Sequence, residues 1–462
     1  MGSLFAHRAS AGTTGSRAGD GGARHVLVIV QNLPVPLDRR VWLECQALRA
    51  NGYDVSVICP KGPGDPSYEE IDGVRIFKYR PAPPARGLVG FAVEFAYSWV
   101  RTAALSLRVA RRRRFDVIQA CNPPDTYWLL ALLWRAAGVR FVFDQHDLNP
   151  ELFLSRFGEP TSSLRRMEFA TLGWLERMTY RWSHKVISTN ESYRRIAMTR
   201  GRRRPEDVTV VRSGPDTRTM RPVYPPDPRP EDGAELVYLG IMGPQDGVDN
   251  VLHVVDELVH RRGRSGVHAT LMGFGDSYDE LVALAAQLDL GDHVTFTGRA
   301  GKRMVAENLS RADIGLSPDL KTPLNDVSTM NKTMEYMAFA LPSGSFDLVE
   351  TLVSGGETVL FVESGNIEAF ADAVERLLDD DGLRLRLAER ARARVVESLD
   401  WRPQATAYVE VYDSLFGVDR PGGVVHAGVE VGEADEWGNR YVPLGDAREF
   451  ERYILSRRTP LG

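Results

Sequence analysis

Lys332 and Glu335 stand three residues apart in the stretch Ser328-Thr329-Met330-Asn331-Lys332-Thr333-Met334-Glu335-Tyr336-Met337-Ala338. On a helix that spacing sets an ammonium and a carboxylate on one face. A helix start gathers unpaired N–H groups and a partial positive charge, which suits a phosphate. Lys332 would add a full charge. Glu335, one turn on, could accept hydrogen bonds from a vicinal diol such as a ribose. Diphosphate beside ribose is the handle of a sugar nucleotide. The same spacing also fits an ordinary surface pair on an amphipathic helix. Ser328 and Thr329 are expected to cap the helix, Pro342 to stop it, and Met334, Met337 and Ala338 to face a core.

His146 lies in Asp144-Gln145-His146-Asp147, just beyond an apolar strand. Ligands of parallel sheets bind at such carboxyl ends. Gly273-x-Gly275 also follows a strand, but the third glycine of a dinucleotide loop is missing, which disfavours a nicotinamide dehydrogenase. Asp379-Asp380-Asp381 reads as a solvated turn. Cys45, Cys59 and Cys121 sit among apolar residues and read as buried thiols. No C-x-x-C pair and no H-E-x-x-H occurs, so a structural zinc is not expected.

The 462 residues suffice for two or three domains. A hydrophobic share of 43%, a charged share of 26% and a net charge of −5 describe a soluble globular chain with no nucleic-acid partner. The longest apolar run, Gly87 to Ala110, is broken by Glu94, Arg101 and Arg108, so a membrane span is not expected. It ends in Arg111 to Arg114. That end fits a core helix with cations at its carboxyl terminus, or a peripheral patch that rests on anionic lipid or an acidic acceptor. Residues 1–24 are rich in Gly, Ala, Ser and Arg without a secretory apolar segment. They are expected to be a disordered leader, and the protein cytoplasmic.

These residues are carried by alternating strands and helices. His25 to Val30 is continuously apolar, as a strand buried on both faces must be. A first doubly wound α/β domain is expected over 25–213 and a proline-rich linker over 214–233. A second such domain follows over 234–400. A helix over 401–417 and a tail over 418–462, without assigned role, complete the chain. Two such domains leave a cleft, and the Lys332–Glu335 helix follows a strand, so its start should face that cleft.

In this frame the chain resembles the retaining glycosyltransferases of family 4, which have the GT-B fold. The resemblance runs from about His25 to Leu415. It rests on Val35-Pro36-Leu37-Asp38-Arg39-Arg40-Val41-Trp42, Phe143-Asp144-Gln145-His146-Asp147 and Gly240-Ile241-Met242-Gly243-Pro244-Gln245-Asp246-Gly247. Leu271-Met272-Gly273-Phe274-Gly275, Phe296-Thr297-Gly298-Arg299 and Asn331-Lys332-Thr333-Met334-Glu335-Tyr336-Met337-Ala338 complete it. The resemblance implies a metal-independent, retaining hexosyltransferase without a resident cofactor, with a nucleoside diphosphate sugar, by family habit a UDP-sugar, as co-substrate. Its acceptor would be a small molecule, glycan or lipid bound mainly by the first domain. It implies that Glu335 holds the ribose, that His146 contacts the donor sugar, and that Gly273 and Phe274 line the nucleotide. Arg299 or Ala300 would meet the base through backbone, and the helix over 401–417 would cross back to the first domain.

Two departures from the family bear on the donor site. Val327 stands where the first acid of a paired motif belongs, with Asp326 as the neighbouring substitute. The Arg and Lys that grip the diphosphate are missing from the loop 242–247. Backbone N–H groups around Gly243, with Gln245 and Asp246 beside them, are expected to take part of that load. Lys332, with Arg39 or Arg40 across the cleft, is expected to supply the cation. The helix start, Ser328 to Asn331, would complete the donor site, and Asn32, Arg39 and Asp147 the acceptor side. Two rivals share the architecture: a non-hydrolysing nucleotide-sugar epimerase and a silent sugar-nucleotide binder.

Overall fold

The computed structural model describes residues 23–82, 87–224, 233–428 and 432–456. Most of the leader and the four prolines from Pro225 to Pro230 lie outside them. The first domain runs β1 (His25–Ile29), α1 (Arg39–Ala50), β2 (Asp54–Pro60), β3 (Tyr68–Ile71), β4 (Val74–Tyr79), α2 (Gly87–Arg112) and β5 (Val117–Cys121). It continues through α3 (Trp128–Arg135), β6 (Arg140–Gln145), α4 (Asn149–Phe157), α5 (Ser163–Trp182), β7 (Lys185–Ser188), α6 (Glu191–Thr199) and β8 (Val208–Val210). Its sheet has the order β3-β4-β2-β1-β5-β6-β7-β8.

The inner strands pair in parallel, and β1 is buried along its whole length because helices cover both faces. One departure from the parallel expectation is the antiparallel hairpin β3–β4 at the edge. Its turn is Asp72-Gly73, both with positive φ, the backbone that a two-residue hairpin turn requires. α1 covers one face of the sheet; α2, α3 and α5 pack on the other, around Phe77, Phe115, Phe143 and Tyr180.

The second domain comprises β9 (Ala234–Ile241), α7 (Val248–Asp256), β10 (Val267–Phe274), α8 (Tyr278–Gln287), β11 (Val294–Gly298), α9 (Lys302–Arg311) and β12 (Ile314–Ser317). Then come α10 (Asn331–Ala338), β13 (Ser343–Phe346), α11 (Val349–Gly355), β14 (Leu360–Val362), α12 (Ile367–Asp379) and α13 (Asp381–Arg394). The sheet order β11-β10-β9-β12-β13-β14 reverses direction next to β9. The loops after β9, β10 and β12 therefore open on one crevice.

Two crossings join the domains side by side. Trp401 N–H donates to Pro215 O, and Thr217 N–H donates to Asp400. A side chain on Gly214 would run into the Leu399 carbonyl, so the two strands of chain need glycine to touch there. α14 (Trp401–Phe416) then lies on α1, burying Trp401, Tyr408, Val409 and Tyr412 in the first domain's core. The tail turns back to the second domain. Tyr441 bridges Val223, and α15 (Ala447–Ser456) buries Phe450, Tyr453 and Ile454 against Ala340 and Ala388.

Candidate active site

β12 ends at Ser317, and the chain then passes Asp319 and a short 3-10 turn (Asn325–Val327) before α10 begins at Asn331. Ser328 and Thr329 do not cap α10. Met330 occupies the cap, without a side-chain bond. The two hydroxyls instead join the domains: Ser328 Oγ meets Tyr193 OH at 2.9 Å, and Thr329 Oγ1 accepts from Asn190 Nδ2 at 3.0 Å. Asn190 also reaches the Val327 carbonyl at 2.9 Å.

Val327 is explained by the same contact. It packs against an interdomain cluster of Leu148, Tyr193 and Leu324, where an unpaired carboxylate would be costly. Asp326 is no substitute for the missing acid. Its Oδ1 is taken by Val349 N–H at 3.0 Å, at the start of α11.

Lys332 is buried beside the crevice, but it is not a free cation. Its Nζ donates to both oxygens of Asp319, at 2.7 and 2.9 Å. Burial works against its charge, yet Asp319 and Asp246 more than offset this and raise its pKa. Gly243 N–H is not free either. It donates to Asp246 Oδ2 at 2.9 Å, and Gln245 Nε2 donates to the same oxygen at 3.2 Å. The nest expected for a phosphate is thus filled by the chain's own carboxylate. Burial raises that carboxyl to about 6, against the pull of Lys332 and with Asp319 adding to the rise. Sequence reasoning missed Asp319, although an acid two residues past a strand end was a visible signal.

Gly273 pairs with Gly240 across β10 and β9, where a side chain would strike the Gly240 carbonyl. Next to it the Arg299 guanidinium stacks on the Phe274 ring at 4.2 Å. These two residues from adjacent strand ends form one lip of the crevice, flat enough to receive a planar base.

Glu335, one turn into α10, faces the other domain. Its Oε1 lies 3.1 Å from Nη2 of Arg39, the first residue of α1. Arg39 is steadied by the Ser213 carbonyl at 3.3 Å. Arg40, by contrast, is not a cleft cation. It is buried, with Nη2 on Asp144 Oδ1 at 2.9 Å, Nη1 on the Val211 carbonyl at 2.8 Å, and Nε 3.1 Å from Glu44 Oε1.

His146 sits on this buried network. Its Nε2 lies 2.8 Å from Asp144 Oδ2, and its backbone N–H donates to Asn122 Oδ1 at 2.8 Å. Burial alone would lower the His146 pKa; the Asp144 carboxylate outweighs it and the net shift is upward. Arg40 Nε stands 3.2 Å from the same ring nitrogen, while Nδ1 keeps no partner among the described residues. Gln119 Nε2 ties Asp144 to Glu44, at 2.9 and 2.8 Å, and its Oε1 accepts from Tyr408 and Tyr412 of α14. Burial and the Asp144 charge push Glu44 up to about 8.

Cys121, Asp144 and His146 bring three possible metal ligands together. Their atoms are already engaged with one another, and the Arg40 guanidinium supplies the positive charge there. The group reads as a closed hydrogen-bond cluster.

Asp147 is held through its backbone by Asn122 and leaves its carboxyl unpaired among the described residues. Burial raises its pKa. Asn32 is exposed in the loop after β1. Arg156 of α4 was not singled out in the sequence. It is exposed, forms no ion pair among the described residues, and its charge is felt at both Asp147 and Asp246. Only the fold shows that α4 faces the loop 242–247.

The Glycosyl transferase 4-like domain family matches residues 37–214, and Glycosyl transferases group 1 matches residues 233–380. The chain belongs to the GT-B glycosyltransferases of the family 4 type. Glycogen synthase of Mycobacterium tuberculosis is 27% identical over 400 residues, covering 81% of this chain and 90% of that protein. Alpha-D-kanosaminyltransferase of Streptomyces kanamyceticus is 28% identical, over 56% of this chain and 67% of its own. Among solved structures, sucrose-phosphate synthase from Thermosynechococcus elongatus superposes with a TM-score of 0.69 at 18% identity, over 86% of this chain and all of that one. Anabaena HepE in complex with UDP-glucose gives 0.60 at 15% identity, over 85% and 99%. This glycosyltransferase therefore carries its crevice in a shared GT-B frame, with Asp319–Lys332–Asp246 on one wall and Arg39, Asp147 and Arg156 on the other.

Proposed function

We propose that this glycosyltransferase moves a sugar from a UDP-sugar to an acceptor hydroxyl with retention of anomeric configuration, without a bound metal or resident cofactor. The observation that supports this best is the Glu335 carboxylate, which stands in the cleft with Arg39 as its partner at 3.1 Å. A ribose would take the Glu335 oxygens and leave the Arg39 guanidinium to face the diphosphate. The UDP assignment is supported by the HepE complex with UDP-glucose and by the flat Phe274–Arg299 lip.

As the bond from the anomeric carbon to the leaving phosphate oxygen breaks, negative charge grows on that oxygen. Arg39, the amino end of α10 and Arg156 are the groups placed to meet it; Lys332 serves through Asp319, whose charge it offsets. The acceptor oxygen then bonds the carbon from the same side, and its proton passes to the departing phosphate. His146 orients the donor sugar through its ring or the adjacent backbone, and Asp147 and Asn32 face the acceptor. A small molecule, a glycan or a lipid would serve as acceptor.

The test is a panel of nucleotide sugars, scored for free nucleotide with and without acceptor alcohols and for the anomeric configuration of the product by NMR. Acceptor-dependent release of UDP with retention is expected. Conversion of the nucleotide sugar with no acceptor present would make the protein an epimerase.

A further inference from the structure

The outer side of the first domain's helical layer combines two features rarely exposed together. α2, α3 and α5 pack side by side on one core: Trp134 of α3 donates to Ser106 of α2, and Trp128 of α3 stacks edge-on against Trp174 of α5 at 5.9 Å. Their outward stripes carry Val100 and Leu107 from α2, Leu133 from α3, and Leu164, Met167 and Trp174 from α5. All are between 46% and 67% exposed. Between them stand exposed arginines, Arg101, Arg108 and Arg111 on α2 and Arg166, Arg177 and Arg181 on α5. None of these six forms an ion pair among the described residues, although the chain as a whole has a net charge of −5.

We propose that the α2–α3–α5 face docks on the surface of an anionic lipid bilayer, lying in the interface without crossing it. The physical case is complementarity. Unpaired guanidinium groups on an otherwise acidic protein select both a negative surface and one orientation toward it. Leu, Met and Trp between them can enter the acyl boundary, where Trp is well suited by its amphipathic ring. No helix among the described residues is long and apolar enough to cross a membrane. α2, about 39 Å long by its 1.5 Å rise per residue, would instead lie flat.

α4 links this face to the cleft. Phe157 is 54% exposed under the Arg165 guanidinium, while Ser155 bonds Thr322 of the second domain. Docking therefore brings the α4 side of the cleft close to the lipid. The inference concerns where the enzyme works and does not depend on which sugar it transfers.

The test is sedimentation of the full chain with vesicles of pure phosphatidylcholine and of equimolar phosphatidylcholine and phosphatidylglycerol. Binding to the anionic vesicles is expected, at least tenfold weaker to the neutral ones, and reduced by salt. The triple variant Arg166→Gln, Arg177→Gln, Arg181→Gln should weaken it on the order of a hundredfold, and Leu164→Ser with Met167→Ser should weaken it independently. Arg386→Gln with Arg390→Gln, on α13, should leave it unchanged. All these side chains are exposed, so unfolding midpoints should hold. Equal binding to both vesicle types, or full binding by the triple variant, would overturn the proposal. So would a dimer in solution that the Leu164 and Met167 changes dissociate.

Discussion

Asp246 is the residue with the most to say about how the site handles charge. Its carboxylate holds Gly243 N–H and the Gln245 amide in the place a phosphate oxygen would want. Raised from 3.8 to about 6, it is ionised at neutral pH and repels an incoming diphosphate; below about 6 it is neutral. Donor KM should therefore fall as pH drops through about 6, and Asp246→Asn should lower KM at pH 7 and flatten the profile. The stability sign runs the same way. The folded protein retains a proton that the unfolded chain has lost, so this group favours folding less as pH rises from about 4 to 6. Lys332, whose pKa Asp319 and Asp246 raise, keeps its charge across that window. Glu335 tests the donor role directly. Glu335→Ala removes a side-chain acceptor whose hydrogen bonds to ribose are worth about 1.5–3 kcal/mol, so kcat/KM should fall roughly tenfold to a hundredfold. Arg39→Ala should lower it by a similar factor while leaving the unfolding midpoint in place.

At the scale of elements, α14 is tied to the site by hydrogen bonds. Tyr408 and Tyr412 both donate to Gln119 Oε1, and Gln119 holds Glu44 and Asp144 through its amide nitrogen. Tyr408→Phe should cost about 1 kcal/mol in urea unfolding, because Gln119 retains the second donor. The double variant with Tyr412→Phe strands a buried acceptor and should cost more than the two single changes summed. The helix over 401–417 was legible in the sequence, since amphipathic spacing survives in any context. That its hydroxyls would steady Asp144, and through it His146, was not legible. Gln119 lies almost 300 residues away in the chain. The capping expected of Ser328 and Thr329 failed for a related reason. Asn190 and Tyr193 approach from the other domain and compete for the same hydroxyls.

For the whole molecule, closure is maintained by small polar and apolar contacts between α4, α6 and the segment 322–329, and by the two crossings at Pro215 and Trp401. The tail adds a clamp on the second domain. Removing residues 433–462 would expose the surface under Phe450, Tyr453 and Ile454. Full burial of such side chains contributes about 1.5–3 kcal/mol each, so a thermal melt should shift down by several degrees. The α10 and β9 geometry, built on a separate core, should survive, leaving nucleotide binding at lower temperature intact. The tail carried no readable role because its partners, Ala340 and Ala388, look like any other buried alanines until the chain returns to cover them.

The alternation of buried strands and amphipathic helices, the two-domain division and the crevice-facing helix with Glu335 follow from local periodicity, which sequence records directly. What only the tertiary structure decided is which charges are free. Lys332 is matched by Asp319, Gly243 N–H is already occupied by Asp246, Arg40 is buried with Asp144 and Glu44, and Arg39 and Arg156 are delivered from the opposite domain. Charge compensation acts through space, over a few ångströms and without regard to chain distance, so no spacing along the sequence could have assigned those partners.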